Sequence, residues 1–318
     1  MSLLEVREVT KRFGGISANV DITLNVGEWE IVGLIGPNGA GKTTLFNCIT
    51  GVYPINSGRV QFRGNDITKM KTHERAGLGI GRSFQNLGLV RGTTVLQNLV
   101  TAQHMTTDYS VLEGVVGVPT TFTAERELVK RADRILEFTN LTQYRDAVID
   151  DLSYGVLKNI ELAAVLATDP QLILLDEPSS GLSPTESDEL GNVLLRLREE
   201  IGVTILMIEH HVPLVVRVCD YVYVLNFGTM LTEGLPRDVQ RHPEVIAAYL
   251  GGEAEPSTAD EEDESEDAKP KGGAPSPAAS KRSATKRSKA VSDGVLAEVS
   301  AYSSPKGSSQ YVPSKESK

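Results

Sequence analysis

The run Gly36-Pro37-Asn38-Gly39-Ala40-Gly41-Lys42-Thr43 fits the spacing G-x-x-x-x-G-K-[ST] and sits between an apolar segment and a helical one. That context suits a loop that cradles a phosphate chain. Small residues let the N–H groups of Gly39, Ala40 and Gly41 turn towards phosphate oxygens, and the following helix points its positive end at the same anion. Lys42 adds a charge for the β- and γ-phosphates, and Thr43 offers a hydroxyl to Mg²⁺. Asn38 and Thr44 flank these groups and join the candidate nucleotide-binding residues. A second candidate is Leu172-Ile173-Leu174-Leu175-Asp176-Glu177. An acidic pair closing a buried strand is costly unless something cationic is nearby. Asp176 suits Mg²⁺, directly or through water, and Glu177 suits the base that polarises an attacking water. Leu152-Ser153-Tyr154-Gly155 opens a helix before that strand, and Glu209-His210 follows a further apolar run. His73, His104, His211 and His242 have no such context and are expected at the surface.

These groups need a scaffold that brings strand ends together. Ile31–Ile35, Leu172–Leu175 and Val203–Ile208 are short continuous apolar runs, which suit central strands covered on both faces. Each leads into polar residues at its C-terminal end, where open α/β sheets bind ligands. Leu3 to Val9 and Val20 to Val26 alternate as half-buried strands do. Ser183-Pro184 starts a helix with Ser as N-cap and Pro at its first position. Leu190, Val193, Leu194 and Leu197 give that helix its apolar stripe. Between about residues 88 and 168 strand signals thin out; Thr94 to His104, Ala124 to Phe138 and Gly155 to Thr168 read as helices. The expectation is an α/β nucleotide domain carrying a helical insertion.

Composition narrows the classes. Lys and Arg total 32 against 42 Asp and Glu, a formal net charge of −10. Nucleic-acid affinity rests on neutralising phosphates, so no nucleic-acid partner is expected. Cys48 and Cys219 match no metal or redox spacing and are expected as buried, reduced thiols, which suits the cytosol. No apolar run approaches the ~18–20 residues that span a bilayer, and no signal peptide is visible at the N-terminus. If the chain works at a membrane, other chains must supply the spanning helices. After Gly251-Gly252 the composition changes to Glu, Asp, Ser, Pro, Ala and Lys, with an acidic run from Asp260 to Glu264 and a basic cluster around Lys281 to Lys289. Such a segment cannot bury enough apolar area to offset its ordering entropy. The expected division is a folded domain over 1–251 and a disordered charged tail over 252–318.

Taken in order, the phosphate loop, Ser83-Phe84-Gln85, Leu152-Ser153-Tyr154-Gly155, Asp176-Glu177-Pro178, Ser180-Gly181-Leu182-Ser183 and His210 make the chain resemble the ATP-binding subunit of ABC transporters over residues 3–250. Within that superfamily it looks most like the branched-chain amino-acid uptake group. The supporting stretches are Arg12-Phe13-Gly14-Gly15, Thr94 to Leu99, Ala102-Gln103-His104, the Tyr-Gly signature and Ala248-Tyr249-Leu250-Gly251. The resemblance implies a P-loop cassette with a small antiparallel β region and an α-helical subdomain. It implies ATP and Mg²⁺ as ligands, and a second cassette, homo- or heteromeric, closing head-to-tail over two ATP molecules. Phe13 would stack on adenine, Gln85 would sense Mg²⁺ and the water, and His210 would hold the γ-phosphate. Ser153 and the N–H of Gly155 would touch the partner's ATP. Transmembrane permease subunits would dock on the helical subdomain, with a separate solute-binding protein, and the cassette would sit on the inner face of the plasma membrane.

The chain departs from the pattern at Val156-Leu157-Lys158, where Gln and a polar or basic pair are usual, and at Ser183 and His211, where Asp is usual. None of these removes Lys42, Asp176, Glu177 or His210. The implied work is ATP hydrolysis driving import of branched-chain amino acids, with amides, urea or other small polar solutes left open. A soluble ABC ATPase of DNA repair or translation, and a nucleotide-binding regulatory subunit with weak hydrolysis, are the alternatives.

Overall fold

The computed structural model describes residues 2–83, 88–104 and 119–250. Among them the strands form two sheets. Strand β1 (Ser2–Phe13) pairs antiparallel with β2 (Ile16–Gly27) and β4 (Ser57–Phe62), and the short β5 (Asn65–Asp66) extends that sheet. The second sheet has the order β10-β9-β3-β8-β7-β6, from β3 (Ile31–Ile35), β6 (Ile80–Arg82), β7 (Leu172–Asp176), β8 (Thr204–Ile208), β9 (Tyr221–Asn226) and β10 (Thr229–Gly234). Every pairing in it is parallel except β9 with β10.

The continuous apolar runs have a direct cause. Side chains alternate along a strand, so a run covered on both faces has no polar side. Val32, Leu34, Leu172, Leu174, Leu206 and Ile208 point into one core with the helix Lys42–Ile49 and the antiparallel sheet. Ile31, Ile35, Ile173, Leu175, Ile205 and Met207 point into the other. That second core is closed by Leu190, Val193 and Leu194 of the helix Pro184–Arg196 and by Leu214, Val215 and Val218 of the helix Val212–Val218. Ser183 caps the helix Pro184–Arg196 as its sequence implies, in a reciprocal capping box with Glu186.

Helices Val95–His104, Pro119–Phe138 and Tyr154–Ala167 enclose a third apolar cluster, including Val95, Leu99, Leu136, Ile160 and Ala163. The helix Tyr154–Ala167 also sends Leu162, Val165 and Leu166 into the core beside the sheet. It therefore joins the helical region to the strand that ends in Asp176.

Candidate functional site

Adjacent parallel strands place the site. Leu34 of β3 and Asp176 of β7 both pair with Ile208 of β8, so these strand ends lie at one level. From there β3 enters the glycine-rich loop, β7 ends in Asp176-Glu177, and β8 leads to Glu209-His210.

Two glycines in the loop are obligatory. Gly36 has φ +147°, and a Cβ there would lie 2.1 Å from the Leu225 carbonyl oxygen. Gly41 has φ +96°, and a Cβ would lie 2.4 Å from the Ala18 carbonyl oxygen. The loop is held on several sides. Gly36 N–H donates to the Tyr249 hydroxyl at 2.9 Å, Gly228 N–H donates to the Ala40 carbonyl at 3.1 Å, and Asn19 Nδ2 donates to the Gly41 carbonyl at 3.2 Å. Lys42 opens the helix at the loop's end and is only 7% exposed. Its ammonium donates to the Gly36 and Pro37 carbonyls at 2.7 and 2.9 Å. Burial lowers its pKa, opposed by the charges of Glu177 and Asp176. Asn38 and Gly39 are exposed, Ala40 is buried, and Thr43 and Thr44 are half-buried or better.

Asp176 is 2% exposed. Its Oδ2 lies 3.3 Å from Arg82 Nη2, while Oδ1 is buried without a partner. Burial pushes its pKa up, and the Arg82 guanidinium acts against that. Arg82 is itself fixed by Asn47 Oδ1 at 2.6 Å. An orphaned carboxylate oxygen beside a phosphate loop fits a Mg²⁺ held by one carboxylate, the Thr43 hydroxyl and nucleotide phosphates.

Glu177 adopts φ +50°, a conformation costing a side-chain-bearing residue roughly 1–2 kcal/mol. Neighbours hold it there. Its N–H donates to the Ile208 carbonyl at 2.9 Å, and its carbonyl accepts from Ser180 N–H at 3.1 Å and from Lys158 Nζ at 3.0 Å. Glu177 Oε1 stands 4.0 Å from His210 Nδ1. His210 is exposed, but its backbone is pinned by the fully buried Glu209, which accepts from the N–H groups of Ser179, His210 and His211 at 2.8, 3.1 and 3.2 Å.

Lys42, Asp176, Glu177 and His210 are thus brought to one place. Ser153 and Gly155 belong to a different neighbourhood: Ser153 is the exposed N-cap of the helix Tyr154–Ala167, and Gly155 packs against Glu186 and Leu182. Phe13, 43% exposed, meets Tyr53 edge-on at 5.2 Å, with Lys11 Nζ 4.6 Å above its ring. Gln85 lies outside the described residues, as does the segment 252–318. His73 and His104 are exposed, whereas His211 and His242 lie only partly at the surface. His211 is half-buried with Nδ1 3.4 Å from Ser187 Oγ, and His242 has a buried Nδ1, because the helices Val212–Val218 and Pro243–Leu250 pack onto the core. Sequence reasoning gave no role to Arg82, Glu209, Lys158 or Tyr249. Buried charge at strand ends is the signal that could have found Arg82 and Glu209.

The family model described as ABC transporter matches residues 19–180, and the one described as branched-chain amino acid ATP-binding cassette transporter matches residues 229–255. The chain is 40% identical over 249 residues to the high-affinity branched-chain amino acid transport ATP-binding protein BraF of Pseudomonas aeruginosa, covering 78% of this chain and 98% of that protein. It is 39% identical, at the same coverage, to the similarly named LivG of Escherichia coli. Among solved structures it resembles the ADP conformation of an ATP-binding cassette of an ABC transporter, with a TM-score of 0.70, 33% identity and coverage of 79% of this chain and 99% of that one. It also resembles a dimeric post-hydrolysis cassette bound to ADP and Pi, with a TM-score of 0.63, 25% identity and coverage of 74% and 99%.

Proposed function

The chain belongs to the ABC transporter family of ATP-binding cassettes, and we propose that it is the ATP-hydrolysing subunit of an importer for branched-chain amino acids or similar small polar solutes. One observation carries the reading: Lys42, Asp176, Glu177 and His210 converge beyond the C-terminal ends of adjacent parallel strands, beside a loop whose backbone only glycine permits. The loop N–H groups and the start of the helix Lys42–Ile49 bind the phosphates. Lys42 exchanges its two loop carbonyls for β- and γ-phosphate oxygens, and its partial desolvation makes that exchange favourable. Thr43 and the unpartnered Oδ1 of Asp176 would hold a Mg²⁺, which would supply charge neutralisation to the nucleotide phosphates when bound. Glu177 takes the proton of the attacking water, and His210, 4.0 Å from its carboxylate, orients that water and the γ-phosphate. Phe13 offers an exposed ring to adenine, and Gln85, by its place in the motif order, would sense Mg²⁺ and the water.

The dimeric relative supports pairing with a second cassette; in the proposed head-to-tail arrangement, Ser153 and Gly155 would complete the partner's nucleotide site. The names of the relatives support branched-chain amino acids as the solute; transmembrane permease subunits and a separate solute-binding protein are the partners such an importer would need. No helix among the described residues is long and apolar enough to cross a membrane, so membrane attachment on the cytoplasmic face would run through those permeases. The cassette domain ends near residue 251 and the rest is a tail dispensable for folding.

Reconstitution tests this. The chain, its permeases and the binding protein in liposomes should accumulate labelled leucine only with ATP and Mg²⁺, and Lys42→Ala should abolish uptake by removing the phosphate contact. ATP-independent uptake, or full uptake with Lys42→Ala, would overturn the reading.

A further inference from the structure

Lys158 follows Val156-Leu157, where the chain departs from the usual pattern, and lies one turn into the helix Tyr154–Ala167. It is half-buried, and its ammonium donates to the backbone carbonyl of Glu177 at 3.0 Å. Tyr154, four residues earlier on the same helix face, has its ring 5.7 Å from the Lys158 ammonium. That ring covers Gly181, where an added Cβ would come within 2.9 Å of it. Gly155 leaves equally little room, since a Cβ there would fall 2.3 Å from Glu186 Oε1. The start of this helix is therefore seated on the loop that follows Asp176-Glu177 in its own chain.

Glu177 needs such support because its left-handed backbone is unfavourable for a residue with a side chain. Its N–H is already committed to Ile208, which anchors only the strand side. On the far side the carbonyl has Ser180 N–H, a bond within one short turn, and the Lys158 ammonium, the bond that reaches another element. A charged donor on a carbonyl is among the stronger hydrogen bonds. We propose that Lys158 is a positioning residue that holds the Glu177 backbone and couples the base to the signature loop of the same chain. The inference rests on Glu177 being the base. Under the head-to-tail arrangement it gives each site a means of sensing the other. Ser153 and Gly155 hold the partner's nucleotide, and the same helical turn carries Lys158 to the chain's own base. A displacement at the signature loop then moves the carbonyl of Glu177 and the carboxylate attached to it.

Steady-state ATP hydrolysis by the full-length chain with Mg²⁺ tests this with Lys158→Met, Lys158→Arg and Glu177→Gln, each alongside its melting temperature. Lys158→Met preserves length and removes the donor. Its kcat should fall about tenfold or more, because misplacing a reacting group by ~1 Å can cost up to ~10²-fold. KM for ATP should stay within about twofold, since the lysine touches no nucleotide group in the binding loop. Lys158→Arg, which can still reach a carbonyl, should recover most of the loss. Unchanged kcat in Lys158→Met, or a lowered melting temperature with unchanged kcat per folded molecule, would overturn the inference and leave the base in place. Full turnover in Glu177→Gln would overturn the base and this inference with it.

Discussion

Ending the chain at residue 251 and ending it at residue 242 should have opposite consequences. The difference is the helix Pro243–Leu250. Val245, 5% exposed, packs with Val239 and the helices behind the parallel sheet, and Tyr249 packs against the same core. The Tyr249 hydroxyl also accepts Gly36 N–H, the first amide of the phosphate loop. Exposing one buried valine costs about 1.5–3 kcal/mol. Leaving a buried amide without its acceptor costs about 1–3 kcal/mol more. At about 2–4 °C per kcal/mol for a domain of this size, the shorter chain should melt roughly 10 °C lower. Its ATP affinity should fall as well, because the loop loses one of its fixed points. The chain ending at 251 keeps every one of these contacts and should melt within a degree or two of the full-length protein. Tyr249→Phe isolates the amide and should cost about 2–12 °C on the same scale. Differential scanning calorimetry with nucleotide titration reads all three. Equal melting temperatures and affinities for the two truncations would refute the reasoning, and a large loss for the chain ending at 251 would move the domain boundary into the tail.

Arg75 is buried and donates to the Cys48, Ile49, Thr68 and Met70 carbonyls, so it caps the far end of the phosphate-binding helix. Arg75→Met should lose about 3–5 kcal/mol in urea unfolding by orphaning those carbonyls; a loss under about 1 kcal/mol would show they find other partners. Both thiols are free and buried, and burial pushes Cys48 up to about 11. The native chain at pH 8 should therefore resist a thiol reagent that labels both cysteines in denaturant, and fast native labelling would contradict the packing. Ser153→Arg places bulk on an exposed helix start and should abolish ATP-induced dimerisation in light scattering without changing ATP affinity; dimers forming as before would remove Ser153 from the interface.

The parallel core was legible because burial on both faces leaves Ile31–Ile35 and Leu172–Leu175 without a polar position and Val203–Ile208 with only the buried Thr204. The capped helix at Pro184 was legible because its cap is local in sequence. Strand β6 was not, since Ile80–Arg82 is too short for a period and is specified by its neighbour β7. The hairpin of β9 and β10 carries its turn at Phe227-Gly228, yet the polar strand β10 shows no clean alternation. Of the site, Lys42, Asp176 and Glu177, the groups proposed to face a nucleotide, announce themselves by spacing. Groups that face other protein groups do not. Arg82 meets Asp176 across 94 residues, and Tyr249 meets Gly36 across 213, so no local pattern records either bond. Glu209 looked like part of the motif around His210, but its work is to bind backbone N–H groups.

The central claim is that Glu177 is the base of an ATP-hydrolysing site, and one comparison tests it most directly. ATP affinity and single-turnover hydrolysis should be measured on the full-length chain and on Glu177→Gln, with Mg²⁺ present. An amide keeps the shape of the side chain but cannot take a proton from water, so affinity should be retained while hydrolysis falls by about 10²–10⁴-fold. Hydrolysis by Glu177→Gln at the rate of the unaltered chain would contradict the account.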